Sequence, residues 1–305
     1  MSSSVCVSVV IVSFNTCDLL RDCLRSVYEK TRDVSFEVIV SDNGSADGSV
    51  EMVRREFPQV VLVENKANLG FGTANNRGLD VARGEFVFYL NSDTLLLNNA
   101  IKEFYDYWNA HDGESLGALG CNLLDADGKL TLSYGGFPQK FQLLKAGLHH
   151  LLAFYVKNVM KFLRMDISRL RPVPVYGKIV GDVDFVNGAA LFVKNSPHAR
   201  FDEDFFLYYE ETNMQWHMKN VGLKRRIIEG PSVVHLVRGG RGKLDDVDRY
   251  GSFSIIQSEI SKVRYTKKNL SSVVAVLLKM LIVVQWISPY IFRNTRKFFR
   301  SLWSV

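Results

Sequence analysis

Apolar runs and helically spaced segments alternate along the first part of the chain. Runs rich in branched and aromatic apolar residues, which are typical of buried strands, lie at 5–12, 36–40, 60–63 and 86–90. Between them, apolar positions recur every three to four residues, as in amphipathic helices, at 18–28, 51–57 and 73–82. This alternation predicts an α/β fold with a doubly wound, mostly parallel sheet and helices on both faces.

The pattern is less regular after residue 115. Apolar runs predict further strands at 117–124, 130–133, 183–193, 226–228 and 233–235. The segment 201–219 begins acidic and aromatic and then takes helical spacing. Leu, Phe, Lys, Arg and His recur with helical spacing in a predicted helical insertion at 140–170, and the pattern allows an amphipathic surface helix or a helical lid.

The segment 270–286 is strongly apolar, and Lys279 is its one charged residue. A membrane-spanning helix needs about 20 apolar residues, and an excess of Lys and Arg on one side sets its orientation. Here both flanks are equally basic, with Lys262, Arg264, Lys267 and Lys268 before and Arg293, Arg296, Lys297 and Arg300 after. We therefore expect helices at 261–305 that lie in the interface of an anionic membrane. A helix packed on the main domain and a true span are the alternatives.

Composition sets wide limits on function. The chain has 305 residues, 47% of them hydrophobic, and a formal net charge of +6, which suits acidic small ligands, an anionic membrane surface or nucleic acid without separating them. Its four cysteines form no C-x-x-C pair, which favours a reducing compartment: Cys6, Cys17, Cys23 and Cys121. The N-terminus has no basic start followed by an apolar run, so we expect no secretory signal.

Polar loops follow four of the predicted strands, at 13–15, 42–47, 68–72 and 91–93. Because the carboxyl ends of parallel strands share one edge of a sheet, these loops should converge on a polar ligand site. Asp93 is placed either to hold a divalent cation or to cap the next helix. A dinucleotide or P-loop site is excluded, since no G-x-G-x-x-G follows the first strand and G-x-x-x-x-G-K-[ST] does not occur.

The order of these loop motifs resembles the family 2 inverting glycosyltransferases of GT-A type, and within them the bacterial rhamnosyltransferase-like branch. The motifs are Val-Ser-Phe-Asn (12–15), Ser-Asp-Asn-Gly-Ser-Ala-Asp-Gly-Ser (41–49), Asn-Leu-Gly-Phe-Gly (68–72) and Leu-Asn-Ser-Asp-Thr (90–94). The likeness continues through 187–190, 206–211 and 235–240, so it covers roughly residues 5–240. It implies a domain at 1–260, with a nucleotide-sugar-binding half at about 1–115 and an acceptor half at about 116–260.

The resemblance implies roles for the donor side. Asp42 would accept a hydrogen bond from the nucleotide base, and Asn68 and Gly70 would lie along the nucleotide. The full set implied to bind the nucleotide sugar is Ser13, Asn15, Asp42, Asn43, Asn68, Gly70, Asn91, Ser92 and Arg238.

The resemblance also implies a metal site that uses Mg²⁺ or Mn²⁺. Asn91-Ser92-Asp93 stands where the family has an Asp-x-Asp motif, so Asp93 would carry the anionic contact and Asn91 would contact the sugar or a metal-bound group. His235 stands where the family places a histidine on the metal or the diphosphate.

An inverting transfer needs a base for the acceptor hydroxyl, and the family takes it from an acidic pair at a helix start. Glu211 is the expected base and Glu210 the reserve, although both could simply be helix N-terminal carboxylates favoured by the dipole. Asn187, Gly188 and Trp216 are assigned to the acceptor pocket.

The expected activity is transfer of a sugar, by resemblance L-rhamnose from dTDP-L-rhamnose, to a glycan or polyprenyl-linked acceptor. We expect this to occur at the cytoplasmic face of the cell membrane, in cell-surface polysaccharide synthesis, without nucleic acid as a partner. An oligomer is possible. A UDP-hexose-dependent transferase and a non-catalytic nucleotide-sugar-binding relative are the alternatives. A nucleotidyltransferase is disfavoured, because 13–16 lacks the glycine-rich, lysine-containing signature that such enzymes carry after the first strand.

Overall fold

The structure is a computed structural model that describes residues 4–163, 176–236, 253–286, 302–303 and 305. These residues form two compact units. The sheet unit comprises residues 4–137, 176–206 and 210–236, and the helical unit comprises the other described residues.

The described part of the sheet unit holds a nine-stranded sheet. Its strands are β1 (Val7–Ser13), β2 (Phe36–Asp42), β3 (Val61–Glu64), β4 (Phe86–Asn91), β5 (Thr94–Leu96), β6 (Leu116–Leu124), β8 (Gly181–Val183), β10 (Ala190–Lys194) and β11 (Lys224–His235). A separate two-stranded sheet pairs β7 (Tyr134–Gly135) with β9 (Phe185–Val186). The main order is β3-β2-β1-β4-β10-β6-β11-β5, with β8 also paired to β11.

Helices lie between these strands along the chain. The sheet unit contains α1 (Cys17–Lys30), α2 (Ser49–Glu56), α3 (Phe71–Leu79), α4 (Ala100–Ala110) and α6 (Glu210–Asn220). The helical unit contains α5 (Lys140–Phe162), α7 (Phe253–Asn269) and α8 (Ser272–Trp286).

Strand β4 runs through the middle of the core. Phe86 and Phe88 belong to the hydrophobic cluster on one face of the sheet, and Val87 and Tyr89 to the cluster on the other. The ring of Phe86 stacks on Phe192 of β10 with centroids 5.3 Å apart. Each such buried side chain contributes about 1.5–3 kcal/mol, so burial on both faces explains the near-continuous apolar run.

The predicted alternation is confirmed from β1 to β4, where β1 pairs in parallel with β2 and β4, and β2 with β3. The expectation of a mostly parallel sheet is also confirmed, because in the described residues only β5, β8 and β10 run against the other six strands of the main sheet.

Several boundaries differ from the predictions. The run 183–193 is divided among β8, β9 and β10, because Asn187 turns the chain by accepting a hydrogen bond from the Ala189 amide. The predicted strand 130–133 is reduced to a bridge between Leu124 and Leu130. The predicted strands 226–228 and 233–235 are parts of β11, whose register shifts between them, and β5 was not foreseen.

The helical unit has a small core of its own. Side chains from α7, α8 and the C-terminus form it: Ile260, Val263, Ala275, Leu278, Ile282, Leu302 and Val305. Among the helices of the described residues, none combines the length and the apolar character that crossing a bilayer requires. The helical tail expected at 261–305 overlaps the second half of α7 and contains α8, while its downstream basic cluster lies outside the described residues.

Candidate active site

Sheet register brings the predicted polar loops together. Ser13 at the end of β1 is the register partner of Asp42 at the end of β2, and Val12 pairs with Asn91 of β4. The Asn43 amide donates to the Ser13 carbonyl at 2.8 Å. The ends of these three strands therefore lie side by side, as the parallel arrangement predicts.

The carboxylate of Asp42 is buried, and within the described residues only one of its two oxygens accepts hydrogen bonds. Its Oδ1 accepts hydrogen bonds from the backbone amides of Gly44 at 3.0 Å and Ser45 at 2.9 Å. Its Oδ2 is also buried, and no group among the described residues donates to it. Because a buried acceptor without a partner costs about 1–3 kcal/mol, Oδ2 is suited to receive an N–H or O–H group from a ligand.

Asn15 holds the loop that follows β2. Its amide donates to the Ser45 hydroxyl at 2.9 Å, and its side-chain oxygen accepts from the Ala46 amide at 2.8 Å. Its φ of 54° lies in the left-handed region, which asparagine tolerates better than most residues. The side-chain oxygen of Asn15 thus has a structural partner inside the protein.

Asn43 cross-links the second and third polar loops. Its side-chain nitrogen donates to the Gly70 carbonyl at 3.1 Å, and its oxygen accepts from the Asn65 side chain at 3.1 Å. Asn68 closes its own loop by accepting from the Gly70 amide at 3.0 Å. These amides fix the spacing of the two loops.

Gly70 meets a requirement that the sequence did not reveal. Its φ is +87°, and a Cβ placed on it would lie 2.3 Å from the carbonyl oxygen of Phe206. The same carbonyl accepts a hydrogen bond from the Phe71 amide at 2.8 Å. Only glycine lets the Phe206 backbone approach this closely, in addition to any role that Gly70 has beside a nucleotide.

A chain of hydroxyl groups joins β1 to the loop after β4. Thr16 donates to the Ser92 hydroxyl at 3.1 Å and lies 3.3 Å from the Ser13 hydroxyl. Thr16 is not among the predicted site residues, and although it precedes α1 its side chain makes no capping hydrogen bond. A threonine directly after the first polar loop was the available signal.

Asp93, Asn91 and His235 come together at the end of β4. The Asp93 Oδ1 lies 3.3 Å from His235 Nε2, and the Asn91 side-chain nitrogen lies 3.4 Å from the same atom. Pairing of β5 with β11 sets this approach, since Thr94 is the register partner of His235. The Asn91 Oδ1 is buried, and no described residue donates to it.

This cluster fits a divalent cation only with ligands from outside the protein. Among the described residues, no group of three or more His, Cys, Asp or Glu side chains could hold a metal ion. The 3.3 Å between Asp93 Oδ1 and His235 Nε2 is close to the separation of about 3 Å between neighbouring ligands of an octahedral cation. A carboxylate and an imidazole suit Mg²⁺ or Mn²⁺ if substrate oxygens or water complete the coordination.

Glu210 and Glu211 begin α6 with buried carboxylates. The Oε2 atoms of both are buried, and no described residue donates to either. Burial raises the pKa of Glu210 well above its usual value, and the neighbouring Glu211 carboxylate raises it further. Burial also raises the pKa of Glu211. As a whole residue Glu211 is half-buried, whereas Glu210 is 4% exposed.

A turn connects the Glu211 region to the end of β4. A Cβ added at Gly188 would lie 3.4 Å from Glu211 Cβ, so the glycine lies directly beside this glutamate. The neighbouring Ala189 carbonyl accepts from the Asn91 amide at 3.0 Å. The start of α6 and the Asn91–Asp93 loop are therefore both in contact with the 187–189 turn.

Gln215 was missed by the sequence analysis. Its side chain is fully buried and pairs with both backbone polar groups of Val186 at 2.8 Å. It also donates to the Glu211 carbonyl at 3.2 Å. Its place one helical turn after Glu211 was the only available signal.

Trp216 lies on a different side of α6 from Glu211. Its ring packs edge-on against Phe137 with centroids 5.1 Å apart, and the Lys219 ammonium lies 5.3 Å from its centroid. These contacts make Trp216 part of a packed aromatic group. Arg238, the remaining predicted site residue, lies outside the described residues.

Comparison with known proteins gives matches in both sequence and fold. Residues 8–146 match the family described as Glycosyl transferase family 2. Over 213 residues the chain is 28% identical to the N-acetylglucosaminyl-diphospho-decaprenol L-rhamnosyltransferase of Mycobacterium tuberculosis, covering 65% of this chain and 66% of that protein. The poly(ribitol-phosphate) beta-glucosyltransferase of Bacillus spizizenii is 28% identical over 119 residues, 37% of this chain and 19% of that protein. The chain thus spans just under two thirds of the first relative and about a fifth of the second.

Two solved structures share the fold. S. aureus TarS 1–349 in complex with UDP-GlcNAc matches with a TM-score of 0.53 and 14% identity, covering 97% of this chain and 81% of that one. The mannosyltransferase PcManGT from Pyrobaculum calidifontis, in complex with GDP-Man and Mn²⁺, matches with a TM-score of 0.54 and 16% identity, covering 99% and 87%. These likenesses confirm the GT-A fold, and in sequence residues 8–146 are similar to glycosyltransferase family 2.

Proposed function

We propose that the protein transfers a sugar from a nucleotide-diphosphate donor to an acceptor hydroxyl with inversion at the anomeric carbon. The acceptor oxygen forms a bond to that carbon, the bond from the carbon to the diphosphate breaks, and Glu211 takes the hydroxyl proton. The observation that carries this proposal is the position of Glu211, a partly exposed residue beside the 187–189 turn, whose Ala189 carbonyl accepts a hydrogen bond from the Asn91 amide.

Accessibility favours Glu211 over Glu210 as the base. A base must reach the acceptor hydroxyl, and of the two residues only Glu211 is partly exposed. Glu210 is 4% exposed, and its pKa is raised both by burial and by the Glu211 carboxylate. Of the two, Glu210 therefore holds its proton more strongly, which favours Glu211 as the charged member of the pair.

Asp42 is our proposed contact to the nucleotide base. Its buried Oδ2 can accept an imide N–H, which thymine and uracil both carry. We favour dTDP-L-rhamnose because a relative 28% identical over 213 residues is named an L-rhamnosyltransferase. A UDP-hexose is the alternative, since TarS is described in complex with UDP-GlcNAc.

Asp93 and His235 would hold Mg²⁺ or Mn²⁺, and Asn91 would contact the sugar or a metal-bound group. When bound, the cation would offset the charge that develops on the departing diphosphate. Asp93 itself supplies the anionic ligand, and its contact with His235 keeps both side chains on one side of the β4 end.

The acceptor we propose is a polyprenyl-linked glycan at the cytoplasmic face of the membrane. The mycobacterial relative is named for a decaprenol-linked acceptor, which supports this choice. A non-catalytic nucleotide-sugar-binding relative is the second candidate. It is favoured by Asn91, Glu211 and Asn213, three positions where aspartate is frequent in the family that the chain resembles.

A donor screen tests the proposal. Thermal unfolding is measured with dTDP-L-rhamnose, UDP-glucose or UDP-GlcNAc, each with Mn²⁺, Mg²⁺ or EDTA, and hydrolysis or transfer is followed in parallel. Asp93→Ala should lose the metal-dependent shift and turnover, while exposed Asp127→Ala should behave as wild type. Full turnover by Asp93→Ala would remove the metal assignment, and donor binding without turnover on any acceptor would favour the non-catalytic relative.

A further inference from the structure

Helices α5 and α8 of the helical unit carry large apolar side chains on their outer surfaces. Of the 22 exposed large hydrophobic residues in the described part of the chain, 11 lie on these two helices. On α5 they are 47% to 86% exposed: Phe141, Leu148, Leu152, Tyr155, Val156 and Val159. On α8 they are 45% to 69% exposed: Val273, Val276, Leu277, Met280 and Val284.

The exposed positions form a stripe along each helix. On α8 they follow the spacing i, i+3, i+4, i+7 and i+11, while Ala275, Leu278 and Ile282 are buried in the core of the unit. On α5 the positions 148, 152, 155 and 159 follow the same periodicity. α5 approaches α8 at Gly147, where an added Cβ would lie 3.3 Å from the Leu278 and Leu281 side chains.

The charge around these stripes has one sign. The sequence contains no Asp or Glu at 138–163 and none after Glu259, whereas α5 begins with Lys140 and carries Lys145 in its second turn. Lys279 of α8 lies 5.3 Å from the ring centroid of Trp303, a tryptophan that is 67% exposed. Exposed tryptophan and lysine beside apolar surface are typical of segments at a lipid headgroup boundary.

We propose that α5 and α8 together form a docking surface for an anionic lipid bilayer, with their apolar stripes among the acyl chains and their lysines at the headgroups. Large exposed apolar patches mark interaction sites, and lysines on two helices that carry no Asp or Glu favour an anionic partner. In its described residues neither helix has the length and apolar character that a bilayer span requires, so we place each helix along the interface. The inference rests on the proposed function only for the purpose of this surface, which is access to a lipid-linked acceptor. The vesicle test does not depend on that function.

Vesicle flotation of the full chain tests this surface. Vesicles of phosphatidylcholine, with or without phosphatidylglycerol, are mixed with wild type, with Leu152→Gln/Val159→Gln on α5 and with Val276→Gln/Met280→Gln on α8. The control is Val180→Gln/Val221→Gln, which removes two equally exposed valines of the sheet unit. We expect wild type and control to float with the anionic vesicles. Each helix variant should lose about 100-fold in vesicle affinity, the equivalent of about 2.8 kcal/mol, since two large apolar side chains no longer enter the acyl region.

Unchanged flotation of the α5 variant would overturn the role of α5, and wild-type flotation that does not depend on phosphatidylglycerol would overturn the charge argument. Sedimentation velocity without lipid tests the rival occupant: a dimer that both helix variants abolish would assign the surface to a second copy of the chain. Donor binding is measured on the same variants by thermal shift. Loss of flotation with retained donor binding separates this inference from the proposed function.

Discussion

Two carboxylate sites of the sheet unit differ in how they are held. At the end of β2, Asp42 has one oxygen fixed by two backbone amides at 2.9 and 3.0 Å and one oxygen without a donor among the described residues. At the start of α6, Glu210 and Glu211 each have a buried oxygen without such a donor, and burial raises the pKa of both. The first arrangement positions an acceptor of hydrogen bonds, whereas the second favours holding a proton.

The difference follows from local backbone geometry. The loop after β2 turns the amides of Gly44 and Ser45 toward Asp42, and both donate to its Oδ1. The pair on α6 is placed against Gly72 of α3 and Gly188, which offer no donor side chain. Binding and proton transfer thus use the same functional group in different surroundings.

Removing the charge of Glu211 should have the largest effect. Glu211→Gln keeps the size of the side chain but cannot accept a proton, so kcat should fall by about 100- to 10,000-fold. Glu51→Gln is the matched control, because Glu51 also lies in the first turn of a helix but is exposed. Donor turnover at saturating substrate measures the effect, and circular dichroism checks the fold. Undiminished turnover would move the base to Glu210 or to another group.

Substituting Gly70 should mainly reduce stability. Ala at this position would place Cβ 2.3 Å from the Phe206 carbonyl oxygen at a φ of +87°, so we expect a loss of about 3 kcal/mol in the free energy of unfolding. Gly48→Ala provides the control, since Gly48 has a φ of +84° but nothing within 4 Å of the added Cβ, and should lose only about 1–2 kcal/mol. Urea denaturation compares the two variants. Equal losses would show that backbone conformation, rather than the Phe206 contact, explains the requirement for glycine.

These contacts also show what the sequence could and could not predict. The apolar run at 86–90 and its polar end were sufficient to place Asp93 at a sheet edge, because strand period and parallel order are local properties. The contact of Gly70 with Phe206 and the pairing of Gln215 with Val186 join residues far apart in sequence, so no local pattern reports them. The antiparallel insertion of β10 between β4 and β6 was missed for the same reason.

Asp42→Asn tests the binding side of the comparison. The asparagine oxygen can keep the bonds from Gly44 and Ser45, while an NH₂ group replaces the buried Oδ2 and opposes a donor on the ligand. Affinity for the nucleoside diphosphate should fall by about 10- to 100-fold, the equivalent of about 1.5–3 kcal/mol for a hydrogen bond to a charged group. Asp47→Asn, in the same loop, is the control because both Asp47 oxygens already accept hydrogen bonds from Cys17 and Ser49. Calorimetry with dTDP and UDP measures these affinities. Equal losses of affinity in the two variants would contradict the assignment of Asp42 as the contact to the nucleotide base.

The smallest expected effect concerns the pH dependence of stability at Glu210. Below about pH 4.3 the carboxyl is protonated in both the folded and the unfolded chain, so it contributes no difference. As the pH rises, the unfolded chain releases this proton first, because burial and Glu211 raise the pKa of Glu210 in the folded chain. The folded state then binds more protons, and the free energy of unfolding falls with rising pH until the folded pKa is passed.

Glu210→Gln should therefore be more stable than wild type at pH 7 to 8, by about 1.4 kcal/mol for each unit by which the pKa is raised, and equal to it near pH 4. Thermal unfolding of both proteins between pH 4 and 8, with exposed Glu51→Gln alongside, measures this difference. A wild type that gains stability over the variant as the pH rises would show that the charged form of Glu210 is stabilised in the folded chain. The choice of Glu211 as base would then lose the argument that its neighbour holds a proton more strongly.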